Sequence, residues 1–170
     1  VTAYQITRAC PADIPAMIAA EKRANQMFRA IGYDFVGDAD VSDAEEHETV
    51  MRDGLTLVAR LGAAVAGFAM FTRLDGEAHL DEVDVDPDHQ RQGLARRLIA
   101  AGENWARGEG YRAMTLTTYR DVPWNAPFYR RLGFQDLAPG PERPALLALI
   151  EKEAKWGFAV KPRLAMRKIL

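Results

Sequence analysis

Gln90-Arg91-Gln92-Gly93-Leu94-Ala95-Arg96-Arg97-Leu98 sets three arginines around one glycine, between a strand-like run from Leu80 to Val85 and a helix-like run from Leu94 to Arg107. The first N–H groups of a helix have no internal partner, and the helix dipole favours negative charge there. Gly93 lets the backbone take a positive φ or approach a bound group closely. Arg91, Arg96 and Arg97 add donors suited to phosphate oxygens. The segment is expected to cradle a pyrophosphate. A Walker A loop is excluded, because no Lys-Ser or Lys-Thr pair occurs in the chain. The Gly-x-Gly-x-x-Gly spacing of a dinucleotide fold is absent around Gly93.

A third pattern does fit. A strand ends in Val85-Asp86-Pro87 and is followed by Gln90-Arg91-Gln92-Gly93-Leu94-Ala95. Further along comes Asn125-Ala126-Pro127-Phe128-Tyr129-Arg130-Arg131-Leu132-Gly133-Phe134, in which Gly133 reads as a helix C′ residue and Phe134 as the start of a strand. These two segments, in this order, resemble the signatures of the GNAT superfamily of acyl-CoA-dependent N-acetyltransferases. The resemblance implies that Gln90, Arg91, Gln92, Gly93, Leu94, Ala95 and Arg96 hold the pyrophosphate and pantetheine arm of acetyl-CoA, the co-substrate, with no metal. It implies a main-chain N–H at Val83 or Val85 for the thioester carbonyl, and a β-bulge near Asp81-Glu82 that frees such groups. It makes Tyr129 the residue that protonates the leaving thiolate. A phenol with a reference pKa of about 10 stays protonated at neutral pH and donates to a thiolate of about 8.5. Many members place a pantetheine-contacting asparagine where this chain has Val122; Asn125 is expected either to contact the cofactor or to cap the following helix.

An amine acceptor must lose a proton before it attacks. Candidate bases are His79, Asp81, Glu82 and Asp84 on the strand before the loop. His79 falls where some protein-acetylating members carry a glutamate, and its reference pKa lies near 6.5. Glu82 is its rival. These acids can equally be solvated, or paired with Arg73 or Arg112. The expected function is acetyl transfer from acetyl-CoA to an amine, on a small molecule or a peptide. The alternatives are a non-catalytic acyl-CoA sensor, which would not need Tyr129, and a scaffold that uses the fold for pairing.

The elements that must position these residues follow from periodicity. Strands are expected over Tyr4–Arg8, Leu55–Leu61, Ala64–Arg73, Ala78–Val85, Tyr111–Thr118, Phe134–Leu137 and Leu164–Leu170. Apolar residues at helical spacing predict a helix from Asp13 to about Ala30, and Ser42 with Glu45 predicts a capping box for a second. Further helices are expected over Leu94–Arg107, Trp124–Leu132 and Pro144–Trp156, with hairpin turns at Gly62 and Asp75-Gly76. That order is α+β: a mixed, mostly antiparallel central sheet of about seven strands with helices on both faces. The loop carrying Phe28, Arg29, Tyr33, Asp34, Phe35, Asp38 and Asp40 is expected, with Trp124 and Trp156, to form an acidic aromatic pocket or ordinary helix packing.

With 170 residues, the chain is expected to form a single domain over 1–170. Its 22 Lys and Arg nearly balance 24 Asp and Glu, which argues against a nucleic-acid partner. The apolar runs are too short to span a membrane. One cysteine, Cys10, excludes an internal disulfide and fits a cytoplasmic location, with the thiol partly buried. A homodimer is an expectation from the family.

Overall fold

The computed structural model describes residues 3–155 and 162–170. The elements are β1 (Gln5–Arg8), α1 (Ile14–Asn25), α2 (Asp34–Asp38), α3 (Ala44–Asp53), β2 (Leu55–Leu61), β3 (Ala64–Leu74), β4 (Glu77–Val85), α4 (Leu94–Gly108), β5 (Ala113–Tyr119), α5 (Ala126–Arg131), β6 (Gln135–Leu137), α6 (Pro144–Lys155) and β7 (Arg163–Ile169). The seven strands form one mostly antiparallel sheet in the order β1-β2-β3-β4-β5-β7-β6. β4 and β5 run parallel, as a strand–helix–strand crossover through α4 requires. The expected class and strand number are those observed.

Contacts divide the chain into two interleaved units. The first holds residues up to Thr72 and returns for Glu82–Gly102. Its core is Met17 of α1, Val50 of α3, and Val58, Phe68 and Met70 of β2 and β3. His47 is fully buried here, edge-on to Phe68 at 5.5 Å between ring centroids. α4 lies so close to β3 that a Cβ at Gly102 would sit 2.1 Å from the Phe71 ring.

The second unit holds Arg73–Asp81 and the chain from Glu103 onward. β5 pairs with β7 along its whole length, from Ala113↔Ile169 to Tyr119↔Arg163. The start of β4 is anchored by charge. Glu77 receives Arg143 at 2.7 Å and Arg167 at 2.6 Å, and these guanidinium groups hold its carboxyl below the ordinary glutamate range against the opposing pull of burial. Asp75, left-handed in the hairpin turn with Gly76, accepts the N–H groups of Ala145 and Leu146 at the first turn of α6. β4 then pairs with β5 through Ala78↔Met114 and His79↔Thr115, so Leu80 and Asp81 lie beyond that ladder.

Several boundaries differ from the sequence expectations for physical reasons. The first helix stops at Asn25 and tightens into a 3-10 turn over Gln26–Ile31, ended by Gly32 at φ 78°. The capping box is Asp43 with Glu46 rather than Ser42 with Glu45: a carboxylate accepts the Glu46 N–H at 2.9 Å, and Glu46 returns the bond to the Asp43 N–H at 3.0 Å. α2 occupies what the sequence suggested was loop. Trp105 is half-buried under Arg73 and beside Tyr111. Cys10 is exposed rather than partly buried. Trp156, part of the expected last helix and aromatic pocket, lies outside the described residues.

β3 closes on the end of β4 through Gly67. A Cβ there would meet the Asp84 carbonyl oxygen at 2.5 Å and Val85 Cα at 3.0 Å, both main-chain atoms that cannot rotate away. Gly67→Ala should therefore cost about 1–3 kcal/mol of stability, measured by urea unfolding. An unchanged midpoint would show that this close approach can relax freely.

Candidate functional site

The turn between β4 and α4 is built almost wholly from main-chain restraint. Ala66 of β3 accepts the Asp86 N–H at 2.9 Å, which fixes the exit of β4. Asp86 caps a short 3-10 turn over Pro87–His89 by accepting the Asp88 N–H at 2.9 Å, and its carboxylate also meets Arg23 at 3.1 Å. Two residues then take left-handed conformations, Arg91 at φ 60° and Gly93 at φ 70°. Alternation of this kind turns successive N–H groups toward one side, as in an anion nest. α4 begins at once, with the Arg97 N–H donating to the Gly93 carbonyl at 3.1 Å.

The side chains of this loop divide in two. Arg91, Gln92, Arg96 and Arg97 are exposed, and Arg97 also donates to the Tyr4 carbonyl at 2.8 Å. Leu94 is 2% exposed and roots the helix in the core, leaving its main chain as what it can offer a ligand. Ala95 is half-buried. Gln90 folds back, donating to the Val85 carbonyl at 3.2 Å and contacting Met27 Sδ at 2.8 Å. Its side chain thus ties the turn to β4 rather than reaching outward. The result is a helix start rich in N–H groups with Arg91 and Arg96 beside it, which suits a diphosphate.

One strand turn upstream, Glu82 and Asp84 of β4 meet Glu21 of α1. One carboxylate oxygen from each lies within 4.8 Å of the others, a spacing that could also hold a metal ion. Glu21 is 5% exposed; one of its oxygens accepts the Ser42 N–H at 3.3 Å, while Oε2 is buried with no partner among the described residues. Burial, reinforced by the charge of Glu82, pushes Glu21 up to about 8. Burial, and then Glu82 and Glu21, push Asp84 well above the usual carboxylate range, with a carboxyl–carboxyl hydrogen bond to Glu82 contributing. Of the acids expected to be solvated or paired with Arg73 or Arg112, Asp81 is exposed, while Glu82 and Asp84 face a third carboxyl; Arg73 bonds Glu109. Sequence reasoning missed Glu21. Its signal was present, since position 21 falls on the inward stripe of Ile14, Met17, Ile18 and Ala24.

The other candidates fare unequally. His79 is 1% exposed, its Nδ1 lies 2.9 Å from Thr115 Oγ1, and burial lowers it to about 4. That environment corrects the reading of His79 as a base, because the ring is sealed in the core. Tyr129, 8% exposed on α5, stands edge-on to Phe134 at 5.9 Å, and its carbonyl accepts the Phe134 N–H at 3.1 Å. Asn125 occupies the N-cap of α5 but makes no capping bond with its side chain. Instead Nδ2 donates to Thr118 Oγ1 at 2.8 Å, and Oδ1 is buried without a partner among the described residues. Val83 and Val85 are half-buried on β4. In the early loop, Phe28, Tyr33 and Phe35 pack on one another, and Arg29 pairs with Asp34 and Asp38, so those acids already have a cation. Trp124 is exposed.

Comparison with known proteins agrees with this geometry. The acetyltransferase (GNAT) family profile matches residues 21–134. Solved structures of similar fold include the PaiA N-acetyltransferase of Thermoplasma acidophilum in complex with coenzyme A, at TM-score 0.72 and 14% identity over 99% of each chain. The ribosomal-protein-S18-alanine N-acetyltransferase of Escherichia coli is similar at TM-score 0.70 and 21% identity, covering 98% of this chain and 94% of that one. A GNAT family acetyltransferase of Brucella melitensis in complex with acetyl-CoA reaches 27% identity at TM-score 0.57, covering 83% of this chain and 91% of that one. No helix among the described residues is long and apolar enough to cross a membrane.

The raised carboxyl of Glu21 carries a stability signature. Its pKa rises from 4.5 to about 8 on folding, so the native state holds a proton that the unfolded chain gives up first. That contribution is fully present below pH 4.5 and is lost as pH rises toward 8. Glu21→Gln, which is neutral throughout, should raise the melting temperature at pH 8 and change it little at pH 4.5. An equal shift at both values would show that the carboxyl is ionised in the fold.

Proposed function

Since this chain belongs to the acetyltransferase (GNAT) family, we propose that it transfers the acetyl group of acetyl-CoA directly to an amine, small or peptidic. The observation that carries this reading is the pair of left-handed residues, Arg91 and Gly93, that opens α4. A turn of that shape has a use in presenting N–H groups to an anion, and the two exposed arginines supply matching charge.

The reaction divides among this chain's residues. N–H groups of Gln92 to Arg96, with Arg91 and Arg96, bind the diphosphate. An N–H of Val83 or Val85 stabilises the oxyanion that forms when the amine nitrogen attacks the thioester carbonyl. Asn125 offers its carbonyl oxygen to the pantetheine amide, a role for which its lone buried acceptor is suited. The carbon–nitrogen bond forms and the carbon–sulfur bond breaks. The nitrogen loses two protons in all: one leaves through the carboxyls around Glu82, and the other balances the proton that Tyr129 gives to the departing thiolate. The acceptor is held as a neutral nucleophile only after the first of these transfers. Cytoplasmic location and pairing into a homodimer accompany this reading as proposals.

Acetyl-CoA-dependent release of free thiol, measured with a panel of amines, tests the activity. Coenzyme A binding without acceptor-dependent thiol would favour the sensor instead. Tyr129→Phe should lower turnover by roughly 10²-fold with coenzyme A affinity kept. An unchanged rate would remove Tyr129 from the chemistry. A Cβ at Gly93 meets no protein atom within 4 Å, so Gly93→Val acts through the left-handed backbone and the ligand alone. It should weaken coenzyme A binding on the order of tenfold, read by calorimetry; unaltered affinity would move the diphosphate elsewhere.

A further inference from the structure

Building on the acyltransferase reading, we propose that Tyr4 is a positioning residue for the cofactor diphosphate, bracing the turn that opens α4 from both ends. The Tyr4 hydroxyl shares a hydrogen bond with His89 Nδ1 at 2.9 Å. The Tyr4 carbonyl accepts a hydrogen bond from Arg97 Nη2 at 2.8 Å. In the chain, His89 and Arg97 stand on either side of Gly93, at equal separations from it. One residue therefore holds both ends of the segment whose middle takes the left-handed conformations of Arg91 and Gly93. The ring of Tyr4 adds a further contact, edge-on to the His89 ring with centroids 5.9 Å apart.

The brace is rooted in the sheet. Tyr4 directly precedes β1, and β1 pairs with β2 from Gln5↔Arg60 to Arg8↔Leu57. Both residues that it grips are themselves tied to the turn: the His89 N–H donates to the Asp86 carbonyl at 2.8 Å, and the Arg97 N–H to the Gly93 carbonyl at 3.1 Å. Between these ends Arg91, Gln92 and Arg96 are exposed. Arg23, on Asp86 and Asp88, and Gln90, on the Val85 carbonyl, support the part of the turn before Gly93, whereas Tyr4 reaches both sides of it. An anion nest binds well only while its N–H groups converge. A segment already held in its binding shape has less freedom to lose when the ligand arrives, so restraint at its ends becomes affinity. The same contact accounts for Arg97, whose guanidinium is turned to a main-chain carbonyl while Arg91 and Arg96 are left to meet phosphate.

Steady-state thiol release from acetyl-CoA and from S-acetylpantetheine, a thioester that lacks the diphosphate, tests the brace. Tyr4→Phe keeps the ring and removes the hydroxyl. It should raise KM for acetyl-CoA about fivefold, while kcat, KM for the amine and KM for S-acetylpantetheine stay put. Calorimetry with coenzyme A should show the same loss of affinity without turnover. His89→Leu should match Tyr4→Phe. His89→Asn, whose side-chain amide keeps a polar atom near the place of Nδ1, should retain most of the wild-type affinity. The double variant Tyr4→Phe/His89→Leu should bind coenzyme A no more weakly than either single variant, because both remove one contact. An equal rise in KM for the two thioesters, additive losses in the double variant, or unchanged coenzyme A affinity in Tyr4→Phe overturns the brace while acetyl transfer stands. A wild type that binds coenzyme A but releases no thiol with any amine removes the acyltransferase reading, and the calorimetric series then decides for or against the brace by itself. A wild type that binds no coenzyme A overturns both.

Discussion

Carboxyl groups brought together out of water are the constraint around which one half of this protein is organised. Two ionised carboxylates about 5 Å apart repel by roughly 3–4 kcal/mol at an effective dielectric constant near 20. Glu21, Glu82 and Asp84 would face that repulsion pairwise, and burial adds to it. At Glu21 the Ser42 N–H and Lys22 oppose the rise, yet burial and the neighbouring carboxylates outweigh them. Arg23 serves the exit of β4, Arg29 serves the α2 acids, and Arg60 serves Asp13, so each cation has its own carboxylate.

The contrast with Glu77 makes the point from the other side. That carboxyl lies on the same strand, yet two arginines lower its pKa and lock the start of β4 in position. One strand therefore carries two acids at its ends with opposite fates. The first is neutralised by fixed partners and serves the scaffold. The second, Asp84, is buried beside Glu82 and Glu21 and is pushed well above the usual carboxylate range. The distinction lies in neighbours, not in residue type, which is why strand position alone could not separate structural from functional acids.

That difference explains what was legible in the sequence. The turn before α4 was readable because its physics is local: a strand, a glycine that tolerates φ 70°, and a helix start follow closely in the chain. Element order was readable for the same reason, since apolar periods of two and near four need no knowledge of partners. The capping box slipped by one position because Ser42 with Glu45 and Asp43 with Glu46 satisfy one spacing rule, and the carboxylate of Asp43 won. α2 was hidden among aromatic residues that suggested a pocket but pack on each other. His79 looked reactive from its place before the loop, whereas its burial against Thr115 is a tertiary fact. Glu21 was the costliest omission. A charged residue on an inward helical stripe is a conflict between local pattern and packing, and such conflicts are where function tends to reside.

The two legible motifs and the illegible trio also divide the chemistry. Binding a diphosphate requires dipoles and permanent cations, which backbone geometry and arginine supply at any working pH. Accepting a proton from an amine requires a group whose charge changes near neutrality, and an ordinary glutamate does not qualify. Burial among like charges pushes the Glu21 carboxyl up to about 8. The same displacement explains why His79 is unsuited: burial moves a base downward as surely as it moves an acid upward, to about 4 here. One physical cause thus lowers the histidine of β4 and raises the carboxyls of Glu21 and Asp84.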